Sequence, residues 1–239
     1  LTVLAGWLAG CDLPGRPRSE DRYIAPRNER AFAVLYQRNC AGCHGVDGTF
    51  GPAPPLNDKL FLALIPDSEL RRVVAEGRPG TLMPAFAEEK GGQLTSEQVE
   101  ILTSGIKTRW SAKEPPPSVA PAYLLSKDQA ESGLAQSKKE GLEVFARACA
   151  SCHGDLGQGT TNGDNSVGAI NDPNFLALTS DQALRRYVIT GRPDLGMPNY
   201  ADPKGRAEGF QPLTSRDVAN VVALLAEWRP VPSGERKGN

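Results

Sequence analysis

The chain carries the same sequence twice. "NDKLFLALIPDSELRRVVAEGRPGTLMPAF" at 57–86 aligns without a gap onto "NDPNFLALTSDQALRRYVITGRPDLGMPNY" at 171–200, with about half the positions identical. Upstream, "YQRNCAGCHG" (36–45) matches "FARACASCHG" (145–154). Downstream, "LTSEQVEILTSGIKTRW" (94–110) matches "LTSRDVANVVALLAEW" (213–228). Self-similarity at this spacing means two copies of one small domain, not a single fold spread over 239 residues. The second copy is longer after the histidine and again after the methionine, as surface loops tolerate. The expected domains are 27–110 and 137–230, with a linker over 111–136 and a tail over 231–239. The linker opens "SAKEPPPSVAPAYLLS", and its proline run lacks backbone donors and favours an extended, semi-rigid spacer.

Within each copy the apolar spacing is helical. Residues 29–39 and 139–148 place Tyr36 and Phe145 four residues before Cys40 and Cys149. Thr95 and Thr214 stand as helix caps, with Gln98 and Asp217 three residues on. Behind them run Val99, Leu102 and Ile106 in one copy and Val218, Val221, Val222 and Leu225 in the other. A middle helix is expected to stop at Gly77 and at Gly191. Asp58 and Asp172, in the repeated "ND", are expected to make turn hydrogen bonds. No alternating strand pattern stands out, so the fold class is all-α, built twice. Aromatic residues make up only 6% of the chain, so a bulky non-protein apolar group is expected to fill part of each core.

Four of the five cysteines form two tight pairs, in "CAGCH" (40–44) and "CASCH" (149–153). Three chemistries use such pairs. Four-coordinate zinc needs four closely organised ligands, which here means pooling both copies across the linker. A dithiol redox pair usually sits beside a βαβ unit, and none is predicted. In the third chemistry, covalent haem attachment, cysteines at i and i+3 each form a thioether to a haem vinyl group, and the histidine that follows reaches the iron. That reading is preferred because it also accounts for the rarest residues. The only histidines are His44 and His153, and the only methionines are Met83 and Met197. The methionines occupy equivalent repeat positions, each followed by proline in a "GRP…MP" stretch. A methionine in a small helical domain ordinarily fills a core gap, but this pattern suits a sixth iron ligand better.

Each copy resembles a class I cytochrome c domain, and the resemblance covers nearly all of residues 27–230. It rests on the CxxCH motifs, the "MP" loops and the aromatics before the first cysteine and at the end of the last helix. It implies two haem c groups held by Cys40, Cys43, Cys149 and Cys152, with His44 and Met83, and His153 and Met197, as axial ligands. It implies an N-terminal and a C-terminal helix crossing beside each haem. Gly141 fits the small residue at that crossing, whereas the first copy has Phe32 there. It also implies a proline carbonyl bracing the proximal histidine. Pro54 matches, but Gly168 stands in its place in the second copy. Arg78 and Arg192, in the repeated "GRP", are candidates for haem propionate contacts. Arg71, Arg72, Arg185 and Arg186 are expected on solvated faces.

His/Met ligation closes both axial positions, which favours single-electron transfer over catalysis. The alternative is a dihaem enzyme, peroxidase-like or thiosulfate-oxidising, with one labile axial site. A haem-based gas sensor would need an output domain. The expected partners are membrane redox complexes (a quinol-oxidising complex, a terminal oxidase or a photosynthetic reaction centre) or soluble cytochromes. A net charge of −1 argues against nucleic acid, and no stretch is apolar for the ~18–20 residues a spanning helix needs.

Cys11 is the odd cysteine. Haem attachment takes place outside the cytoplasm, so "LTVLAGWLAG" (1–10) reads as the remnant of a signal peptide. Leu8-Ala9-Gly10-Cys11 resembles a bacterial lipobox, which makes Cys11 the acylated residue and 11–26 a tether. Asp12 resembles an inner-membrane retention signal. The expected location is the periplasmic face of the cytoplasmic membrane, held by the lipid anchor.

Overall fold

A computed structural model describes residues 22–49, 53–112, 120–124, 134–162 and 165–230. Cys11 lies outside the described residues. The first domain contains α1 (Phe32–Asn39), α2 (Ala41–His44), α3 (Lys59–Leu64), α4 (Asp67–Glu76) and α5 (Ser96–Trp110). The second repeats them as α6 (Leu134–Ala148), α7 (Ala150–His153), α8 (Pro173–Leu178), α9 (Asp181–Thr190) and α10 (Ser215–Glu227). The all-α expectation misses one element. In the longer loop after His153, β1 (Thr160–Asn162) and β2 (Asn165–Val167) pair antiparallel, in strands too short to show a period of two.

The helices begin where side chains satisfy their free backbone N–H groups. Thr95 and Thr214 both close full capping boxes, with Gln98 and Asp217 reaching back. Asp58 and Asp172 cap α3 and α8, accepting from the amides of Phe61 at 2.9 Å and Phe175 at 2.8 Å. Ser180 caps α9. In α4, Pro66 occupies the cap without a side-chain bond, and Asp67 and Glu69 in the first turn complement the helix dipole instead.

The two domains solve the same packing problem with different residues. In each, the last helix ends on a tryptophan whose ring meets the aromatic of the first helix edge-on. Tyr36–Trp110 lie at 5.2 Å and 74°, Phe145–Trp228 at 5.3 Å and 75°. Gly141 lets α6 approach α10: a Cβ there would lie 2.5 Å from the Asn220 carbonyl oxygen. In the first domain the small residue is on the opposite helix. Gly105 of α5 leaves the room that the Phe32 ring occupies, so a bulky residue on α1 is matched by a gap in its partner.

The linker does more than space the domains. Residues 120–124 dock between them, with Tyr123 buried against Phe61 at 5.6 Å. Arg185 donates from Nε and Nη2 to the Ala122 carbonyl at 2.9 and 2.6 Å, and from Nε to the Tyr123 carbonyl at 3.1 Å. Gln182 donates to the Tyr123 carbonyl at 2.9 Å, and the Ala122 amide donates to Ser215 Oγ at 2.9 Å. Leu60 and Leu64 of α3 pack against the second core.

This overturns the expectation that Arg185 and Arg186 are solvated. Arg185 is 0% exposed and Arg186 8%. The repeat equates them with Arg71 and Arg72, which are half-exposed and ion-paired with Glu100 and with Glu69 and Glu76. The face that meets water in the first copy is covered by the linker and by α3 in the second. Arg185→Met removes the donor from the Ala122 carbonyl and leaves the Tyr123 carbonyl to Gln182 alone. It is expected to cost about 1–2 kcal/mol, read as a lower midpoint in guanidinium unfolding.

Candidate functional site

Each CxxCH stretch forms a short helical turn behind the first helix. The amides of Cys43 and His44 donate to the Cys40 carbonyl at 3.2 and 2.9 Å, and those of Cys152 and His153 to the Cys149 carbonyl at 3.2 and 3.0 Å. The paired thiols therefore stand one turn apart with the histidine beside them, and the chain leaves through Gly45 and Gly154 at φ 76° and 77°. All four thiols are free. Burial pushes Cys40 up to about 12 and Cys149 up to about 11. A dithiol redox site needs a depressed, exposed thiol, so that chemistry does not fit. Among the described residues no three His, Cys, Asp or Glu side chains converge as a metal site, which leaves pooled zinc ligation without support.

The two histidines are held differently. His44 Nδ1 lies 3.1 Å from the Pro54 carbonyl. A carbonyl only accepts, so Nδ1 carries the proton and Nε2 presents its lone pair. Burial lowers the His44 pKa, the Pro54 bond opposes this, and the Arg186 and Arg78 charges lower it further. His153 is lowered by burial as well, with the nearby Gly168 carbonyl opposing. That carbonyl falls short of hydrogen-bond geometry, and His153 Nδ1 is buried without a partner. The loop following His153 spends its hydrogen bonds on the backbone instead. The Gly159 amide donates to the His153 carbonyl at 2.8 Å and Thr160 Oγ1 to the Cys152 carbonyl at 2.7 Å.

The repeated "GRP…MP" acquires a physical reason. Gly77 and Gly191 end the middle helices at φ 71°, ψ −164° and φ 69°, ψ −166°, a region essentially reserved for glycine. The methionine loop presses against them. A Cβ on Gly77 would lie 2.5 Å from the Pro84 carbonyl carbon, and one on Gly191 2.5 Å from the Met197 carbonyl oxygen. The next amides, of Arg78 and Arg192, donate to the carbonyls of Met83 and Met197, both at 3.0 Å. Glycine and arginine together clamp the methionine backbone.

The arginine side chains go elsewhere. Arg78 reaches the Tyr123 hydroxyl at 3.3 Å, and Arg192 makes a two-pronged pair with Asp194 at 2.9 and 2.7 Å. Met83 packs on the first core. Met197, Arg192, Arg186 and Tyr187 of the second domain, with Pro54 and Pro55 of the first, line one cavity of about 630 Å³. The cavity thus sets Met197 and Arg192 of the second domain against the Pro54–Pro55 segment that braces His44. Arg186, which belongs to this cavity, was not legible as a site residue, because only its paired charge distinguished it and Arg72 carries the same pair.

The residues present fit a covalently bound haem in their donor chemistry. Two thiols lie one turn apart, the neighbouring imidazole is fixed in the first domain with Nε2 free, and a methionine sits on a clamped loop.

Two helical domains in tandem, each with this constellation, define a tandem cytochrome c architecture. Residues 27–104 and 136–223 match the family model described as cytochrome c oxidase, cbb3-type, subunit III, and the chain belongs to that family. Two curated relatives are a cbb3-type cytochrome c oxidase subunit CcoP of Azospirillum sp. and a cbb3-type cytochrome c oxidase subunit FixP of Sinorhizobium medicae. The first is 28% identical over 171 residues, covering 66% of this chain and 51% of the relative. The second is 29% identical over 204 residues, covering 77% and 61%. The chain therefore spans about half to three-fifths of these relatives' lengths. A chain of the Kuenenia stuttgartiensis reducing HAO-like protein complex aligns at TM-score 0.47 and 18% identity, over 87% of this chain and 100% of that one.

Proposed function

We propose that the chain is a dihaem c-type cytochrome that passes single electrons to a membrane-bound terminal oxidase as its cytochrome subunit. The observation that carries this is the duplicated constellation of CxxCH turn and clamped methionine loop, in a member of the cbb3-type subunit III family. When bound, each haem supplies an iron that gains and loses one electron. The protein's part is to hold it. Cys40 and Cys43 would hold the first haem and Cys149 and Cys152 the second. His44 and His153 would supply ring nitrogens to the irons, and Met83 and Met197 thioethers. Arg78 and Arg192, which now reach Tyr123 and Asp194, are the proposed donors to the haem propionates. Irons held by both a histidine and a methionine would leave peroxide and oxygen no open position. Cys11 is the proposed acylation site that holds the chain at the periplasmic face of the membrane. More than one acyl chain would make that anchoring stable.

The test is made on the purified holoprotein. Pyridine haemochrome should give two haems per chain, and the oxidised protein should show a weak near-infrared sulfur-to-iron band. Met83→Ala and Met197→Ala should each remove about half of that band, as a 1:1 pair of sites requires. Because His44 is braced and His153 is not, reduction should proceed in two separate one-electron waves. An intact band in both variants, or rapid peroxide turnover without a partner, would overturn the reading. Mass spectrometry of the mature N-terminus checks the anchor: an unmodified Cys11 would exclude it.

A further inference from the structure

Arg186 is a charge placed by one domain on the site of the other. It sits on α9, yet its Nη2 donates to the Pro55 carbonyl of the first domain, and its guanidinium lies 3.7 Å over the centre of the Phe61 ring. Pro55 follows Pro54, whose carbonyl braces His44. The side chain is more than nine-tenths buried and lines the cavity that Pro54, Pro55 and Met197 share. Among the described residues no carboxylate forms an ion pair with it. Asp58, whose charge acts on it, accepts from the Phe61 amide, and the carbonyl and ring that touch it carry no net charge. Arg78, which also faces it, is a second cation. Burial disfavours the charge, but a guanidinium stays protonated in water-accessible pH.

We propose that Arg186 is a positioning residue delivered across the domain interface, a buried cation that raises the reduction potential of the first domain's site. The proposal rests on the reading of that site as a haem site. Oxidation adds a positive charge at the iron, and a fixed cation nearby disfavours the oxidised form in a medium that screens little. Linkage makes the effect reciprocal: the interface that carries Arg186 is tighter when the first site is reduced.

The test is a spectroelectrochemical titration of the holoprotein carrying two haems. The wave that moves in Met83→Ala is assigned to the first site. In Arg186→Gln that wave should fall, so that at a fixed poise its ratio of reduced to oxidised protein drops on the order of tenfold, the scale of one unit charge acting through a partly buried medium. The second wave should stay in place. Arg186→Lys, which keeps the charge, should hold the first wave close to its original position. If the glutamine variant does not load both haems, Arg186→Met, which better fills the space over Phe61, is titrated with the same expectation. An unmoved first wave in the neutral variant, or an equal shift of both waves, overturns the proposal. A wild-type protein that binds no haem overturns the underlying reading instead.

Discussion

Gly191→Ala is expected to free Met197 from the second site while leaving haem attachment intact. The substitution places a methyl group 2.5 Å from the Met197 carbonyl oxygen and forces an L-residue to φ 69°. Backbone in that region costs on the order of 1–3 kcal/mol by itself, and the collision is with main chain, which cannot rotate aside. The cheapest relief is for the methionine loop to swing away, breaking the hydrogen bond from the Arg192 amide. Haemochrome should still report two haems, about half of the near-infrared band should be lost, and carbon monoxide should bind one of the two reduced irons. Gly77→Ala should do the same to the first site. Gly42→Ala is the control, since a Cβ there meets nothing and Ser151 already stands at the equivalent place. An undiminished band in Gly191→Ala would mean that the clamp does not position the methionine.

Trp228→Ala should unfold the second domain at markedly lower denaturant. The ring closes α10 onto α6 through Phe145 and also backs Gly157, where a Cβ would lie 2.7 Å from it. Gly157 in turn organises the loop behind His153, its carbonyl accepting from the amides of Ile170 and Asn171 at 2.8 and 3.1 Å. One truncation therefore loosens both the helix crossing and the segment behind the histidine. The cost expected for emptying such an aromatic contact is about 3 kcal/mol, and Trp228→Phe should recover part of it. Trp110 holds the matching position over Gly48. Circular dichroism against guanidinium should resolve the loss, and an unchanged midpoint would contradict the assigned role.

What could be read from the sequence was whatever depends on local geometry. Thr95 with Gln98, and Thr214 with Asp217, announce helix starts because a cap needs only three residues of spacing. Pro54 was legible as the brace of His44 through the family resemblance, and the structure makes that bond. Features that depend on what covers a face were not legible. Arg71–Arg72 and Arg185–Arg186 are the same letters in the same repeat, and only the arrival of Tyr123 and α3 separates a solvated pair from a buried one. Gly105 was missed for a related reason: its meaning lies in Phe32, on another helix. The hairpin at 160–167 escaped because three-residue strands carry no period.

The docked linker has a kinetic consequence. Two redox centres on a loose tether exchange electrons only when diffusion brings them together, so their rate follows linker length, viscosity and ionic strength. Here Ala122 and Tyr123 are held by Arg185 and Gln182 while Tyr123 seals against Phe61, which removes that search. With a haem in each domain, as proposed, exchange between them is expected to be a first-order event at fixed separation, with little dependence on salt.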